Sequence, residues 1–355
     1  MGNPFTLTFG KVPQEYIERI SIIDGIIDSF TGDNPDSQAY VISGVRGSGK
    51  TVMLADITNR LSKDDSWIII DLMPQVDMVN KAIADLYNVP TMKIHFADIK
   101  FSVSLPGIDI GVEKPLGTND PNSVLEEMLR IAGKQGKKVL FSIDEVETTR
   151  YMKIFCTCFQ LYVRHELPVY MLMTGLDHNI NNLSHSDGLT FLLRTPRVEM
   201  LALNITRIAS SYSRILGLSV DDSWKLAITT KGYSYAFQVL GTLAWNKRDE
   251  VDKTTIDDFI GSLLPEYDHR LQEYVYAKVW EDCSPTEKAI LLLIGDDKPS
   301  KVSDLRLKMN DMVSNKFNVY RDRLIRKGIL ISPERGTLEF ALPRFAEYIK
   351  YYAYI

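Results

Sequence analysis

Gly44-Val45-Arg46-Gly47-Ser48-Gly49-Lys50-Thr51 follows directly on a short apolar run, Ala39–Ser43, and leads into a segment of helical period. The spacing is G-x-x-x-x-G-K-[ST], and a strand before it and a helix after it are the setting that the pattern requires. Glycines let backbone N–H groups turn inward onto phosphate oxygens, and the start of the following helix adds its partial positive charge. Lys50 is placed to reach β- and γ-phosphates, and the Thr51 hydroxyl to ligate Mg²⁺. The whole octet, Gly44, Val45, Arg46, Gly47, Ser48, Gly49, Lys50 and Thr51, is therefore expected to bind ATP with Mg²⁺. The octet names a ligand, not a reaction.

Outward from the octet, apolar strands alternate with helical segments. Upstream, Ile17, Ile20, Ile23, Ile27 and Phe30 recur at helical spacing. Downstream, Val52, Leu54, Ile57 and Leu61 mark the inner face of a helix over 51–61. Strands are expected at 67–73, 139–143, 168–174 and 197–203, with helices at 77–87, 120–133 and 149–166. Asp120 reads as a helix cap with Pro121 at the first helical position. Residues 91–119 change character: Ile94, Phe96, Ile99, Phe101, Val103 and Leu105 alternate, and Pro106-Gly107 follows, so an inserted β-hairpin is expected. Strands that alternate with helices imply a mostly parallel sheet covered on both faces.

The strand 139–143 ends in Asp144-Glu145. A strand neighbouring the phosphate loop would bring Asp144 to the Mg²⁺ shell and leave Glu145 to orient or deprotonate a water at the γ-phosphate. Adjacent acids favour hydrolysis over transfer to a small acceptor, and no acceptor-pocket signature of a small-molecule kinase is visible.

Composition bounds the rest. The chain has 355 residues, 45% hydrophobic and 25% charged, with a net charge of −5, as in an ordinary globular protein of two or three domains. A net negative charge argues against a chain that coats nucleic acid along its length, but leaves room for one basic module. No secretory leader and no membrane-length apolar run is visible, and Cys156, Cys158 and Cys283 form no metal pattern. They are expected to be buried, in a cytoplasmic protein.

From about 206 to 283 strand signals vanish and helical spacing dominates. From 284, helices are expected at 286–294, 301–309 and 313–327, then strands at 329–332 and 337–341. Three helices and a two-stranded wing describe a winged helix. Residues 284–355 hold 13 Lys and Arg against 9 Asp and Glu, so the positive charge is concentrated there. Lys316, Arg321, Arg323, Arg326 and Lys327 on the third helix, with Arg335 on the wing, are the candidate contacts to double-stranded DNA. The competing reading makes this module a protein contact, with Arg321 and Arg326 paired to Asp322 or other acids.

At this point the chain resembles the AAA+ superfamily, and within it the origin-recognition initiators and the prokaryotic STAND-type ATPases, over roughly residues 10 to 355. Beyond the two phosphate-site motifs, Val169-Tyr170-Met171-Leu172-Met173-Thr174-Gly175-Leu176 is similar to the strand that carries the polar "sensor 1" residue, a place that falls to Thr174. Thr190-Phe191-Leu192-Leu193-Arg194-Thr195-Pro196-Arg197 stands where such proteins carry an arginine finger, so the resemblance assigns it to Arg194 first and Arg197 second. It also implies adenine contacts from Val12, Tyr16 or Ile17. Lys231-Gly232-Tyr233-Ser234-Tyr235-Ala236-Phe237-Gln238 resembles a lid signature but lacks the arginine that initiators use as "sensor 2".

The expected fold is thus an α/β P-loop, AAA+-like parallel-sheet core over 1–205, a helical lid over 206–283 and a C-terminal winged helix over 284–355. The expected function is an ATPase switch acting on or near DNA, in replication, mobile-element or defence settings. An arginine finger implies a homo-oligomer or a partner ATPase. The alternative is a STAND-like signalling ATPase that makes protein contacts and never touches DNA.

Overall fold

The computed structural model describes residues 2–8, 10, 12–96, 120–296, 298–309 and 311–352, with side chains omitted for 311–315 and 352. The chain divides into two compact units. One comprises Arg19–Ser43 and Lys50–Glu199; the other comprises Met1–Glu18, Gly44–Gly49 and Met200–Ile355.

The first unit is a parallel sheet with helices. Its strands are β1 (Ala39–Ser43), β2 (Trp67–Leu72), β3 (Lys138–Ile143), β4 (Val169–Gly175) and β5 (Arg197–Glu199), in the order β2-β3-β4-β1-β5. Every pair is parallel, as runs of Val, Ile, Leu and Met buried on both faces demand. The helices are α1 (Ile20–Thr31), α2 (Lys50–Leu61), α3 (Met78–Tyr87), α4 (Pro121–Lys134), α5 (Arg150–Arg164) and α6 (Asp177–Ser184). Local chemistry fixes their starts. The carboxylate of Asp77 accepts from Asn80 N–H, that of Asp120 from Asn122 and Ser123 N–H, and the hydroxyl of Thr149 from Met152 N–H. Phe141, fully buried on β3, meets Phe155 of α5 edge to face at 5.0 Å. Cys156 and Cys158 are buried on α5, and burial pushes the Cys156 thiol up to about 12, so they serve as packing groups.

Two expectations shift. α1 starts only at Ile20, which is 45% exposed, and buries Ile23, Ile26 and Phe30; Ile17 precedes it and packs in the other unit's core. The hairpin expected over 91–119 lies outside the described residues from 97 onward. Its opening is a 3-10 turn, Lys93–Phe96, because Met92 and Phe96 are the buried pair and Ile94 is 78% exposed. Four-residue spacing is helical, and it overrides a brief alternation.

The second unit is helical, with α7 (Ile205–Leu216), α8 (Val220–Ile228), α9 (Ser234–Asn246), α10 (Ile256–Leu271) and α11 (Ala277–Glu281). It then runs α12 (Pro285–Ile294), β6 (Ser300–Lys301), α13 (Val302–Leu307), α14 (Asp311–Arg326), β7 (Leu330–Ile331), β8 (Thr337–Phe340) and α15 (Phe345–Tyr352). Three helices followed by a hairpin keep the element order expected from 284 onward, and β6 completes a small sheet in the order β6-β8-β7; α15 has no counterpart in the sequence reading.

Met1–Glu18 groups with this unit rather than with the sheet, and the contacts say why. Phe5 packs between Tyr212 and Phe237, at 5.9 and 5.5 Å, over Gly241, where a Cβ would lie 2.6 Å from the Phe5 ring. Gln238 accepts from Thr6 N–H at 3.0 Å and donates to the Glu15 carbonyl at 2.7 Å. The Glu15 carboxylate accepts from Ser211 Oγ and Arg214 at 2.6 and 2.5 Å.

One buried charge pair ties the start of α12 to Lys327, just past α14. Glu287, 2% exposed, closes a capping box with Ser284 and accepts from Lys327 Nζ at 2.8 Å. Burial raises the Glu287 carboxyl, but the hydrogen bonds from Lys327 and Ser284 outweigh it and leave the group below its usual range. Such a group contributes stability above its unfolded pKa, lost as pH falls through the folded value. Lys327→Met strands the carboxylate and is expected to cost about 3–5 kcal/mol near pH 7. The variant's deficit should shrink toward about pH 5, because an unpaired buried Glu287 takes up a proton above the unfolded pKa. Urea unfolding of both proteins at the two pH values checks this; an equal loss at both would remove the pair as the cause.

Candidate functional site

On the sheet unit, the site is built where strands end. β4 lies between β1 and β3, and the strand carrying Asp144 still brings it to the start of α2. Strand order is a long-range property, and the inserted β4 contributes a group of its own. Thr174, fully buried near the end of β4, donates its hydroxyl to Asp144 Oδ1. Thr51, in the first turn of α2, donates to Asp144 Oδ2 at 2.9 Å. One carboxylate thus accepts from two hydroxyls, each on a different element. Thr174 also accepts from Glu145 N–H at 3.1 Å, and Asp144 Oδ1 accepts from the same N–H at 3.1 Å. Those bonds hold Glu145 at φ +54, a left-handed conformation that costs a non-glycine residue about 1 kcal/mol or more. Its carboxylate is exposed, as a group that meets an incoming water must be.

The finger candidates separate cleanly. Arg197 donates to Asn181 Oδ1 at 2.7 Å and to Ser184 Oγ at 3.1 Å, which makes it a brace on α6. Arg194 caps a 3-10 turn, Thr190–Leu193, and its exposed side chain has no hydrogen-bond or ion-pair partner among the described residues.

In the helical unit, Gly44, Gly47 and Gly49 take φ of +153, +72 and +94. A Cβ on Gly47 would sit 2.2 Å from the Tyr233 hydroxyl oxygen, so only glycine fits. Ser48 Oγ is buried without a partner, and the N–H groups of Gly47 and Gly49 have no acceptor among the described residues. Open donors in a glycine-rich turn, one of them buried, fit an anion. The three residues Tyr233, Ser234 and Tyr235, at the start of α9, bond the loop's carbonyls. Tyr233 Oη donates to Arg46 O at 2.5 Å, Tyr235 N–H to Gly47 O at 3.0 Å, and Ser234 Oγ to Ser48 O at 2.9 Å. Arg46 pairs with Asp282 at 3.4 Å, and a Cβ on Gly328, beside the wing, would meet Val45 at 3.1 Å. The sequence reading singled out the 231–238 stretch but not these bonds, since a hydroxyl that meets a backbone carbonyl leaves no motif. Of the adenine candidates, Val12, Tyr16 and Ile17 are half-buried, and Gln238 bonds the carbonyl of the residue before Tyr16.

The basic face of α14 is narrower than expected. Lys327 is consumed by Glu287 and the Asp282 carbonyl. Arg321 donates to Asp322 at 2.9 and 2.7 Å, and at 3.6 residues per turn it points about 140° away from Lys316. Lys316, Arg323 and Arg326 are exposed and share one side, with Arg323 stacked over Tyr320 and Arg326 donating to the Asp322 carbonyl at 3.2 Å. Arg335 is exposed on the wing. Among the described residues no helix is long and apolar enough to cross a membrane.

Residues 273–349 match a family described as "Domain of unknown function (DUF8462)". No curated protein matches the chain. Among solved structures, the ORC2 protein of Aeropyrum pernix, determined as ADPNP–ADP complexes, is 12% identical over 97% of this chain and 96% of its own, with a TM-score of 0.60. Cdc6p from Pyrobaculum aerophilum is 13% identical, with 97% of both chains covered and a TM-score of 0.48. A STAND protein with a tetratricopeptide repeat sensor from Pyrococcus horikoshii is 16% identical over 97% of this chain and 44% of its own, with a TM-score of 0.41. The first of these likenesses is one of fold: over nearly its whole length the chain has the α/β fold of the Aeropyrum pernix ORC2 protein.

Proposed function

We propose that this protein is an ATP-binding and ATP-hydrolysing switch. The observation that carries the reading is the Asp144 carboxylate, held by the hydroxyls of Thr51 and Thr174 with Glu145 braced beside it. The solution of the Aeropyrum pernix relative with ADPNP and ADP supports an adenine nucleotide as the ligand. Gly44 to Lys50 bind the phosphates, Lys50 at the β- and γ-groups. A hydroxyl and a carboxylate are the hard oxygen donors that Mg²⁺ takes, so Thr51 and Asp144 would hold it. Bound there, Mg²⁺ neutralises charge on the phosphates. Glu145 accepts a proton from water or aligns it for attack on the γ-phosphate. Thr174 positions both acids. Tyr16 and Ile17 face the adenine.

Two substitutions test the assignment together. Lys50→Ala is expected to abolish tight ATP binding by calorimetry, since it removes the charge opposite the β- and γ-phosphates. Glu145→Gln, nearly isosteric, is expected to keep binding and lower turnover at least about a hundredfold. If Lys50→Ala binds as wild type does, the phosphate-loop reading is wrong; if Glu145→Gln turns over normally, another group handles the water.

An arginine that acts on a neighbour's nucleotide is silent in a monomer. Arg194 suits that part because it is exposed while Arg197 is tied to α6. The rate per chain should therefore rise with protein concentration, and Arg194→Ala should flatten the rise and leave nucleotide affinity intact. A wild-type rate that does not depend on concentration would eliminate the finger.

The switch acts on or near DNA in this reading, through Lys316, Arg323, Arg326 and Arg335, which would contact phosphates and supply affinity without sequence information. A second reading, a signalling ATPase whose winged helix makes protein contacts, is favoured by the loss of Arg321 and Lys327 to intrachain pairs. Duplex binding across a salt series separates them. The first reading expects steeply salt-dependent binding that weakens on Arg323→Glu and is indifferent to Arg321→Ala. No binding at low salt selects the second.

A further inference from the structure

We infer that Tyr233, with Ser234 and Tyr235, positions the phosphate loop for nucleotide and makes the lid answer to any bound diphosphate moiety rather than to the γ-phosphate. The inference rests on the nucleotide-binding reading above and adds to it a device in the stretch 231–238, which carries no arginine.

The argument starts from the peptide bond. A trans peptide is planar, with its C=O and N–H antiparallel. A partner that fixes a carbonyl therefore aims the next residue's N–H the opposite way. Lid residues 233–235 take the carbonyls of Arg46, Gly47 and Ser48, three successive peptides. The N–H groups of Gly47, Ser48 and Gly49 are turned away from the lid as a result. Ser48 N–H closes the turn onto Val45 O at 3.2 Å, while those of Gly47 and Gly49 stay open among the described residues. Without the lid's bonds, glycine-rich peptides would sample both orientations, and binding would have to supply the ordering.

Tyr233 is suited to the task. It is buried, and burial raises its hydroxyl far above the ordinary tyrosine value, so it remains a proton donor at any working pH. The φ of +72 at Gly47 and the absence of a Cβ there let the hydroxyl approach. Tyr233 belongs to the lid's core, with Leu203, Phe237 and Leu240. The loop's geometry is thereby tied to the packing of α9. In the nucleotide reading above, the peptides held this way would flank the β-phosphate, a group ADP and ATP share, and Tyr233, Ser234 and Tyr235 spend these bonds on the loop rather than on a third phosphate.

The test is Tyr233→Phe, which deletes one hydroxyl and keeps the ring, with affinities for ADP and for a non-hydrolysable ATP analogue measured by calorimetry. Both should weaken by about five- to tenfold, and by the same factor, as expected for loss of one buried hydrogen bond. Coupling is reciprocal. Hydrogen exchange in 233–244 should therefore slow on nucleotide addition in the wild type, equally for the two nucleotides, and slow less in the variant. A merely structural tyrosine would lower the unliganded melting temperature without changing that nucleotide-dependent protection. Ser234→Ala gives the same readout should Tyr233→Phe fail to fold. Unchanged affinity for both nucleotides overturns the inference, as does a loss confined to the triphosphate. A wild type that binds neither nucleotide instead refutes the nucleotide reading itself.

Discussion

A single carboxylate organises the sheet unit. Asp144 would cost much to place among strand ends were it not satisfied, and it is satisfied by Thr51 and Thr174. The arrangement needs β4 between β1 and β3, so that a hydroxyl from β4 stands between α2 and the acidic pair. Because Thr174 also takes Glu145 N–H, the same residue sets the direction of the acidic pair's second carboxylate. In the proposed reading, the parallel sheet matters mainly through this alignment of its carboxyl ends.

A second constraint concerns glycine. The phosphate loop is flexible by composition, and rigidity comes from partners outside it. Carbonyls go to Tyr233, Ser234 and Tyr235; the Arg46 side chain goes to Asp282; Val45 rests beside Gly328. Every one of these partners lies after residue 200, which is why the loop belongs by contact to the helical unit although it is spelled out between β1 and α2. Local sequence supplies the freedom and distant sequence restricts it.

What could be read from the sequence follows the same division. The octet at 44–51, the cap Asp120, and the apolar runs that became β1 to β4 are local signals, and they led to the right elements within a residue or two. The basic run on α14 was visible, but its sorting was not: Arg321 turns to Asp322 and Lys327 to Glu287, which depends on which neighbours the fold supplies. Strand order was not legible for the same reason, as nothing in β3 or β4 says which lies beside β1. The positive φ at Glu145 and the orphaned Ser48 hydroxyl have no sequence signature at all.

Arg46 occupies one of the four positions that the phosphate-loop pattern leaves open. In isolation that position is unconstrained, yet here its side chain is paired across 236 residues of sequence with Asp282. Among diverging copies of such a gene, the two positions would drift as a couple: a neutral residue at one relaxes the charge at the other, and an exchange of signs preserves the pair. The freedom that the pattern grants at its third position is narrower here, because a neutral residue in place of Arg46 would leave Asp282 with Lys278, at 3.8 Å, as its remaining cation.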